Sequence, residues 1–500
     1  MKKLSNATLP TLGIAVPQYD RSALRPGILH VGVGNFHRAH QAVYLERLQN
    51  ARFDPAWGLV GAGVREPDAV MRRKLAEQDW LYTVVEVEGR ELSASVLGCM
   101  MDFVAVDPAT NAPLIDAMIN PETRIVSLTV TEGGYFVDSA TGQFDLAHPL
   151  VAADISHPGS GHTVFGAMVS ALAARRLAGV SPFTVMSCDN LPGNGDAARA
   201  AVLGIARGRD ADLAEWIGNH VTFPNAMVDR ITPATGDRER STLAQEFGIE
   251  DNYPVFCEPF IQWVLEDRFC NGRPALEEVG VTLTADIHDH EKMKIRILNG
   301  GHALLCYPAA LMGIELAHEA LENDLIRAYL RKVLEDDVLA LVPTVPGFTP
   351  AQYLDLIFRR FDNTGVADQI ERLCHDGSNR QPKFTIPSMR EDLERGHMPV
   401  GLALGAALWC RYCCGKTDDG RSIAANDPNW SVLQATALAA QETPGLWLDQ
   451  SEIYGDVGQD PEFRAQFAAC LRFLQAHGAA ASLKHYLEGA AFLSESVQAS

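Results

Sequence analysis

Over roughly the first 280 residues, short apolar runs alternate with amphipathic stretches, the pattern of a sheet wrapped by helices. Ile28 to Val33 reads as a buried strand, and Ala39, Val43, Leu45 and Leu48 recur near helical spacing, which predicts a helix over Ala39 to Leu48. Leu59 to Val64, Trp80 to Val87, Arg124 to Val130 and Phe183 to Ser187 are β-rich, are bounded by Gly, Asp or Glu, and are predicted as further strands of that sheet. After about Asp286 the texture changes to long Ala- and Leu-rich segments, Ala309 to Leu321, Asp324 to Leu341 and Ala465 to Leu487, which predict a helical domain. Pro343 to Pro350 and Asp418 to Pro428 are breaker-rich and read as its loops. The expected organisation is an α/β domain over 1–285 and a mostly helical domain over 286–500.

Composition narrows the function. A chain of 500 residues with 47% hydrophobic and 21% charged positions can build two or three sizeable cores. Its net charge of −21 opposes polyanions, because proteins that grip phosphate backbones cluster Lys and Arg, so no nucleic-acid partner is expected. Lys2 and Lys3 are followed by polar Ser-Asn-Ala-Thr rather than the apolar core of a signal peptide, and no run of about 18 apolar residues occurs. A cytoplasmic protein without membrane contact is expected. The 10 cysteines are scattered. Cys410, Cys413 and Cys414 are the close group, but they sit in an apolar helical pattern with no second pair at zinc-finger distance, so no metal is expected there.

Between the first strand and helix stands Gly32-Val33-Gly34-Asn35-Phe36-His37-Arg38-Ala39, whose two glycines permit a tight turn and backbone approach to a pyrophosphate. Arg38 adds a charge that can meet the same phosphate. An acidic pair, Glu66 and Asp68, follows the second predicted strand, where a carboxylate can accept both ribose hydroxyls of NAD and repel the 2′-phosphate of NADP. Arg65 leaves that choice of cofactor open. A GxG also serves ordinary turns; here the third glycine is His37, and the acidic residues come later than the usual spacing of about 20.

Lys294-Ile295-Arg296-Ile297-Leu298-Asn299-Gly300-Gly301-His302 lies where the two textures meet. On an α-helix Asn299 is about 140° round from Lys294 and His302 about 80°, so the three project within one half of the cylinder. Alcohol oxidation needs a base for the hydroxyl proton and neutral donors for the alkoxide-like oxygen. Flanking apolar residues and the like charges of Lys292 and Arg296 are expected to push the lysine towards the neutral amine. Asn299 supplies an amide donor and His302 can orient hydroxyls. Asn190, in Ser187-Cys188-Asp189-Asn190, ends a predicted strand on the side where α/β sheets place their sites. The plainer reading is a solvated basic patch of Lys292, Lys294 and Arg296 with His302 packed in the core.

Taken together, GVGNFHRAH at 32–40, TEGGY at 131–135, SCDN at 187–190, FPNAMVDRITP at 223–233, KIRILNGGH at 294–302 and RQPKF at 380–384 resemble the polyol-specific long-chain dehydrogenases, in the expected order over nearly the whole chain. The resemblance implies a Rossmann-type NAD-binding domain, a helical substrate domain and metal-independent interconversion of a linear polyol and its ketose, mannitol and fructose first. It implies Lys294 as general base, Asn190 and Asn299 as oxyanion donors and His302 as the substrate-orienting histidine. It also implies Asp229, Arg380 and Lys383 in the polyol site and Glu132 as a proton relay. Asp229 and Arg230 can equally form an ordinary ion pair. Arabinitol and sugar acids such as fructuronate or tagaturonate are alternative substrates, because Arg380 and Lys383 suit hydroxyls or a carboxylate. A monomer and a homodimer are both open. Two rivals stand outside the family: a metal-dependent hydrolase using His288-Asp289-His290-Glu291, and a nucleotide sensor without catalysis, which predicts loss of Lys294 or its donors.

Overall fold

The computed structural model describes residues 1–137, 143–158 and 161–493, and the side chain of Glu132 lies outside that description. The chain forms two compact units, Met1–His288 and Asp289–Ser500. Strands named below are β1 Ile28–Val31, β2 Leu59–Ala62, β3 Tyr82–Glu88, β4 Glu91–Leu97, β5 Met100–Phe103, β6 Ile125–Leu128, β7 Thr184–Ser187, β8 Ala226–Asp229, β9 Val255–Cys257, β10 Gln262–Glu266 and β11 Thr282–Thr284.

The first unit is built on a five-stranded parallel sheet in the order β5-β2-β1-β6-β7. Apart from β5 at its edge, its strands are buried on both faces because helices cover both. Leu29 and Val31 of β1 point into a core shared with the helices Val164–Ala178 and Asn194–Arg209, whereas Ile28 points the other way, towards Tyr44, Leu45 and Leu48 of the helix Gln41–Ala51. The order reverses at β1 and β6, so the C-terminal ends of those strands form the topological switch point at which such sheets bind nucleotides.

One expected strand has a different place. Residues 82–88 do not join the main sheet: β3 pairs antiparallel with β4 through a tight turn at Gly89 and parallel with β9. Both faces of the hairpin are covered, Tyr82, Val84 and Leu97 packing into one core and Val85, Val87, Ala94 and Val96 into another, with Glu86, Glu88 and the turn at Gly89 marking where it leaves them. A third sheet has the order β11-β10-β8.

The second unit is helical around one core. Its Val400–Cys413 helix is buried along nearly its whole length and lies against Gly300–Leu311, Asp324–Asp337 and Pro461–Leu487. The expected run Ala309 to Leu321 is instead broken at Gly313, whose φ of +76° ends one helix before Ala317–Glu322 begins. The Asp324 helix stops at Asp337, four residues short of the expected end, and a single 3₁₀ turn, Leu339–Leu341, follows it. Among the described residues no helix is long and apolar enough to cross a membrane.

Candidate active site

In the first unit the turn after β1 has the geometry that a dinucleotide phosphate requires. Gly32 has φ +98°, and a Cβ there would meet the Thr129 carbonyl at 2.1 Å, so only glycine fits. A Cβ at Gly34 would meet only the Gly32 carbonyl, at 3.9 Å, which leaves that side of the turn open to an approaching ligand. His37 replaces the usual third glycine by lying flat on His30 of β1, ring centroids 3.4 Å apart. Burial pushes the His30 imidazole down to about 3 and lowers that of His37 as well, so the pair packs as neutral rings. Phe36 is half-buried and stacks on His40.

Two of the expected cofactor contacts are used inside the unit. Arg38 is 1% exposed; its guanidinium donates to the Tyr253 carbonyl and to Asn35 Oδ1 (2.6 Å) and lies over the rings of Tyr82 and Tyr253. It braces the turn from behind. Asp68 is also buried: its Oδ2 accepts the backbone N–H groups of Val64 and Arg65 at 3.0 and 2.9 Å. It caps the helix Glu66–Ala76 rather than facing solvent, and Glu66, exposed at the first position of that helix, is the free acidic candidate beside the exposed Arg65.

At the end of β7, Asp189 ties two motif segments together. Its carboxylate accepts from the backbone of Val130 (3.1 Å) and Thr131 (2.8 Å) and from the Tyr135 hydroxyl (2.8 Å), which also meets Ser187 Oγ. This clamp holds Thr131 at φ +69°, a rare conformation for a β-branched residue, and so fixes the turn that starts at Glu132. The relay assigned to the Glu132 carboxylate falls outside the described side chains. Asn190 follows the clamp and is exposed. Asp229 ends β8, 5% exposed, while Arg230 bonds to Glu86 and to the carbonyls of Glu258 and Ala39.

In the second unit Lys294–Asn299 is a π-helical segment set between the α-helical residues His288–Met293 and Gly300–Leu311. With about 4.4 residues per turn there, Asn299 stands about 50° from Lys294 rather than 140°, and three α-helical steps bring His302 to within about 10° of the lysine. The constellation is therefore a single ridge. Lys294 is 7% exposed, and the Asn299 Oδ1 atom is buried with no hydrogen-bond partner among the described residues. The His302 ring stacks on Phe361 at 4.4 Å, which fixes its plane.

The neighbouring cations are neutralised. Lys292 Nζ and Arg296 Nη2 both donate to Glu391, at 2.9 and 2.6 Å, and Arg296 also reaches Ser388 Oγ at 2.6 Å. Burial works against the Glu391 charge, but Lys292 and Arg296 outweigh it and hold its carboxyl below the usual range. Much of the like charge expected to act on Lys294 is thus offset, and the half-buried Lys292–Arg296–Glu391 group replaces the solvated basic patch. Phe361, Ser388 and Glu391 carried no sequence signal, being 59 or more residues away from the groups they serve.

Arg380 and Lys383 lie on the helix Gly377–Phe384, with Arg380 half-buried and donating to the Leu373 carbonyl at 3.2 Å, and Lys383 exposed. This helix sits against the π-segment: a Cβ at Gly300 would touch the Phe384 carbonyl at 3.4 Å. Of the rival metal donors, His288 and Asp289 are exposed while His290 and Glu291 are buried, so the four face apart. Cys410 and Cys413 are buried with thiols pushed up by burial, the reverse of what thiolate ligands need.

Comparison with known proteins agrees with this division. The mannitol dehydrogenase Rossmann domain model matches residues 26–278, and the mannitol dehydrogenase C-terminal domain model matches 286–475. A mannitol 2-dehydrogenase of Cereibacter sphaeroides is 56% identical over 477 residues, covering 95% of this chain and 99% of that one. A mannitol 2-dehydrogenase of Phaeosphaeria nodorum is 39% identical over 97% of this chain and 85% of its own. Among solved structures, the ternary complex of Pseudomonas fluorescens mannitol 2-dehydrogenase with NAD and D-mannitol superposes with TM-score 0.89 at 42% identity, covering 97% of this chain and all of that one. A substrate-free D-sorbitol dehydrogenase superposes with TM-score 0.84 at 34% identity, covering 96% and 100%.

Proposed function

The chain belongs to the mannitol dehydrogenase family, and on that premise we propose that it interconverts a linear polyol and its ketose with NAD, mannitol and fructose being the preferred pair. The single ridge of Lys294, Asn299 and His302, made by the π-helical segment, carries this reading. Relatives named mannitol 2-dehydrogenase and a fold match solved with NAD and D-mannitol support mannitol as the polyol, and fructose is the ketose its oxidation at carbon 2 gives.

Bound NAD supplies the acceptor for the hydride that leaves the substrate carbon. Gly32 and Gly34 let the backbone approach its pyrophosphate, Phe36 packs beside the turn, and Glu66 accepts from the ribose hydroxyls. Lys294, 7% exposed, takes the hydroxyl proton as general base. Asn190 and Asn299 donate to the oxygen as negative charge builds on it. His302, held flat by Phe361, orients the hydroxyls, while Asp229, Arg380 and Lys383 bind the remainder of the chain of hydroxyls. Glu132 passes the proton to solvent. No step calls for a metal. A cytoplasmic location and a monomeric or homodimeric state belong to the same proposal.

The test is NADH oxidation against fructose, xylulose, ribulose, fructuronate and tagaturonate, repeated with NADPH. Fructose with NADH is expected to give the highest kcat/KM. Preference for a uronate would reassign Arg380 and Lys383 to a carboxylate, and silence across the panel with NADH still bound would remove this substrate class.

A further inference from the structure

Away from the Lys294 ridge, three metal-ligating side chains of the second unit converge. One donor atom each from Asp337, Asp392 and His397 lies within 4.8 Å of the other two. Asp337 is the last residue of its helix, Asp324–Asp337, and Asp392 lies in the last turn of Ile386–Glu394. Helix C-termini already carry partial negative charge, so two carboxylates placed there are electrostatically costly without a cation. His397 is brought to them by Gly396, whose φ of +74° turns the chain back so that the His397 N–H bonds the Asp392 carbonyl at 2.9 Å.

The three are prepared unequally. Asp337 is fixed: its Oδ2 accepts from the Leu402 N–H at 3.0 Å, and a Cβ at Gly401 would come within 2.8 Å of that oxygen. Its Oδ1 lies 3.4 Å from His397 Nε2, the separation of two ligands held tetrahedrally at about 2.1 Å from zinc. Asp392 is only 4% exposed, yet its Oδ2 has no hydrogen-bond partner among the described residues. A buried carboxylate oxygen without a partner beside a second buried carboxylate is a costly arrangement that a cation relieves. Burial pushes both carboxyls up to about 6, that of Asp392 being raised further by the charge of Asp337.

When protonated, His397 is itself the nearest positive group and lowers both carboxyls, and the other surrounding charges are engaged elsewhere. Asp336 is paired with Lys332, Glu391 with Lys292 and Arg296, and Arg395, which lowers Asp392 somewhat, donates to the Ala340 carbonyl. The Tyr486 hydroxyl, which faces Asp337, is itself made harder to ionise by burial and that charge. His397 has half its side chain in solvent, which leaves an entry path.

We propose that Asp337, Asp392 and His397 bind one divalent transition-metal cation, zinc or manganese, that clamps the C-terminal ends of the Asp324–Asp337 and Ile386–Glu394 helices. The cation is structural. Asp392 adjoins Glu391, the carboxylate that holds Lys292 just before the π-segment and Arg296 within it, so the clamp steadies the frame of the active site without entering the reaction.

The experiment uses the full-length protein, stripped with EDTA, dialysed and titrated separately with Zn²⁺ and Mn²⁺. Elemental analysis should find one ion per chain, and a hundredfold excess over Kd should raise Tm by about 5–10 °C. EDTA should lower Tm while turnover with NADH stays within about twofold of its starting value, as expected when the metal has no part in the chemistry. Asp392→Asn and His397→Ala should each weaken binding by more than the about 10–100-fold that loss of an outer-sphere partner costs. Because His397 is half-exposed, its variant folds normally and keeps the test decisive if Asp392→Asn does not. Absence of any Tm response to either ion, or equal binding by His397→Ala, overturns the site.

Discussion

At the scale of single residues, Lys294 and its two companions account for the proposed chemistry. Lys294→Ala should lower kcat by about 10²–10⁴, the usual worth of a general base, with little change in NADH affinity measured by fluorescence. A matching loss of NADH affinity would place the lysine in the cofactor site instead. The types and spacing K-x4-N-x2-H were legible in the sequence, but the angle between Lys294 and Asn299 was not, because residue identity does not report whether hydrogen bonds close every four or every five residues. Arg38 and Asp68 were likewise visible as charges but not as buried ones, since their partners Tyr253 and the Val64 amide are known only from the fold. The acidic pair of the metal clamp yields a pH test of definite sign. Asp392 has a folded pKa of about 6, raised from 3.8, so its contribution to stability is full below about pH 4 and is lost as pH rises through 6. In EDTA, Asp392→Asn should therefore match the parent Tm near pH 4 and exceed it at pH 7, while with Zn²⁺ the order at pH 7 should invert. A Tm difference independent of pH would exclude Asp392 as the titrating group.

Among elements, the helix Gly377–Phe384 carries the two basic residues assigned to the polyol, and its position depends on a glycine packed closely against two aromatic side chains. A Cβ at Gly377 would lie 2.8 Å from both Trp409 Nε1 and the Tyr307 hydroxyl. Gly377→Ala should cost about 1–3 kcal/mol by overpacking and, by displacing Arg380 and Lys383, raise the KM for ketose more than it lowers kcat. Calorimetry and steady-state kinetics read the two effects separately, and an unchanged KM alongside a lowered Tm would detach this helix from substrate binding. Most strands and the long helices were legible because their periodicity is local. The exceptions have local causes as well: the 82–88 strand reads as part of the main sheet until the turn at Gly89 pairs it with 91–97, and Gly313 splits an apolar run that composition alone leaves continuous.

For the whole molecule, the fold class follows from texture: alternation builds a parallel sheet covered on both faces, and the later Ala- and Leu-rich segments build a helical unit around one core. What texture did not reveal were the groups assembled from distant parts of the second unit, Glu391 with Lys292 and Arg296, or Asp337 with Asp392 and His397, because each joins residues that are polar and unremarkable in their own segments. The cysteines have a consequence at this scale. Eight of the ten are buried, with Cys99, Cys188 and Cys257 in the first unit and Cys306, Cys374, Cys410, Cys413 and Cys470 in the second. Buried thiols are silent to alkylating reagents until the chain around them opens, so each unit carries its own clock. Mass-resolved labelling under native conditions then times the opening of each unit separately, and the lag between the two sets of tags measures how far the units melt as one.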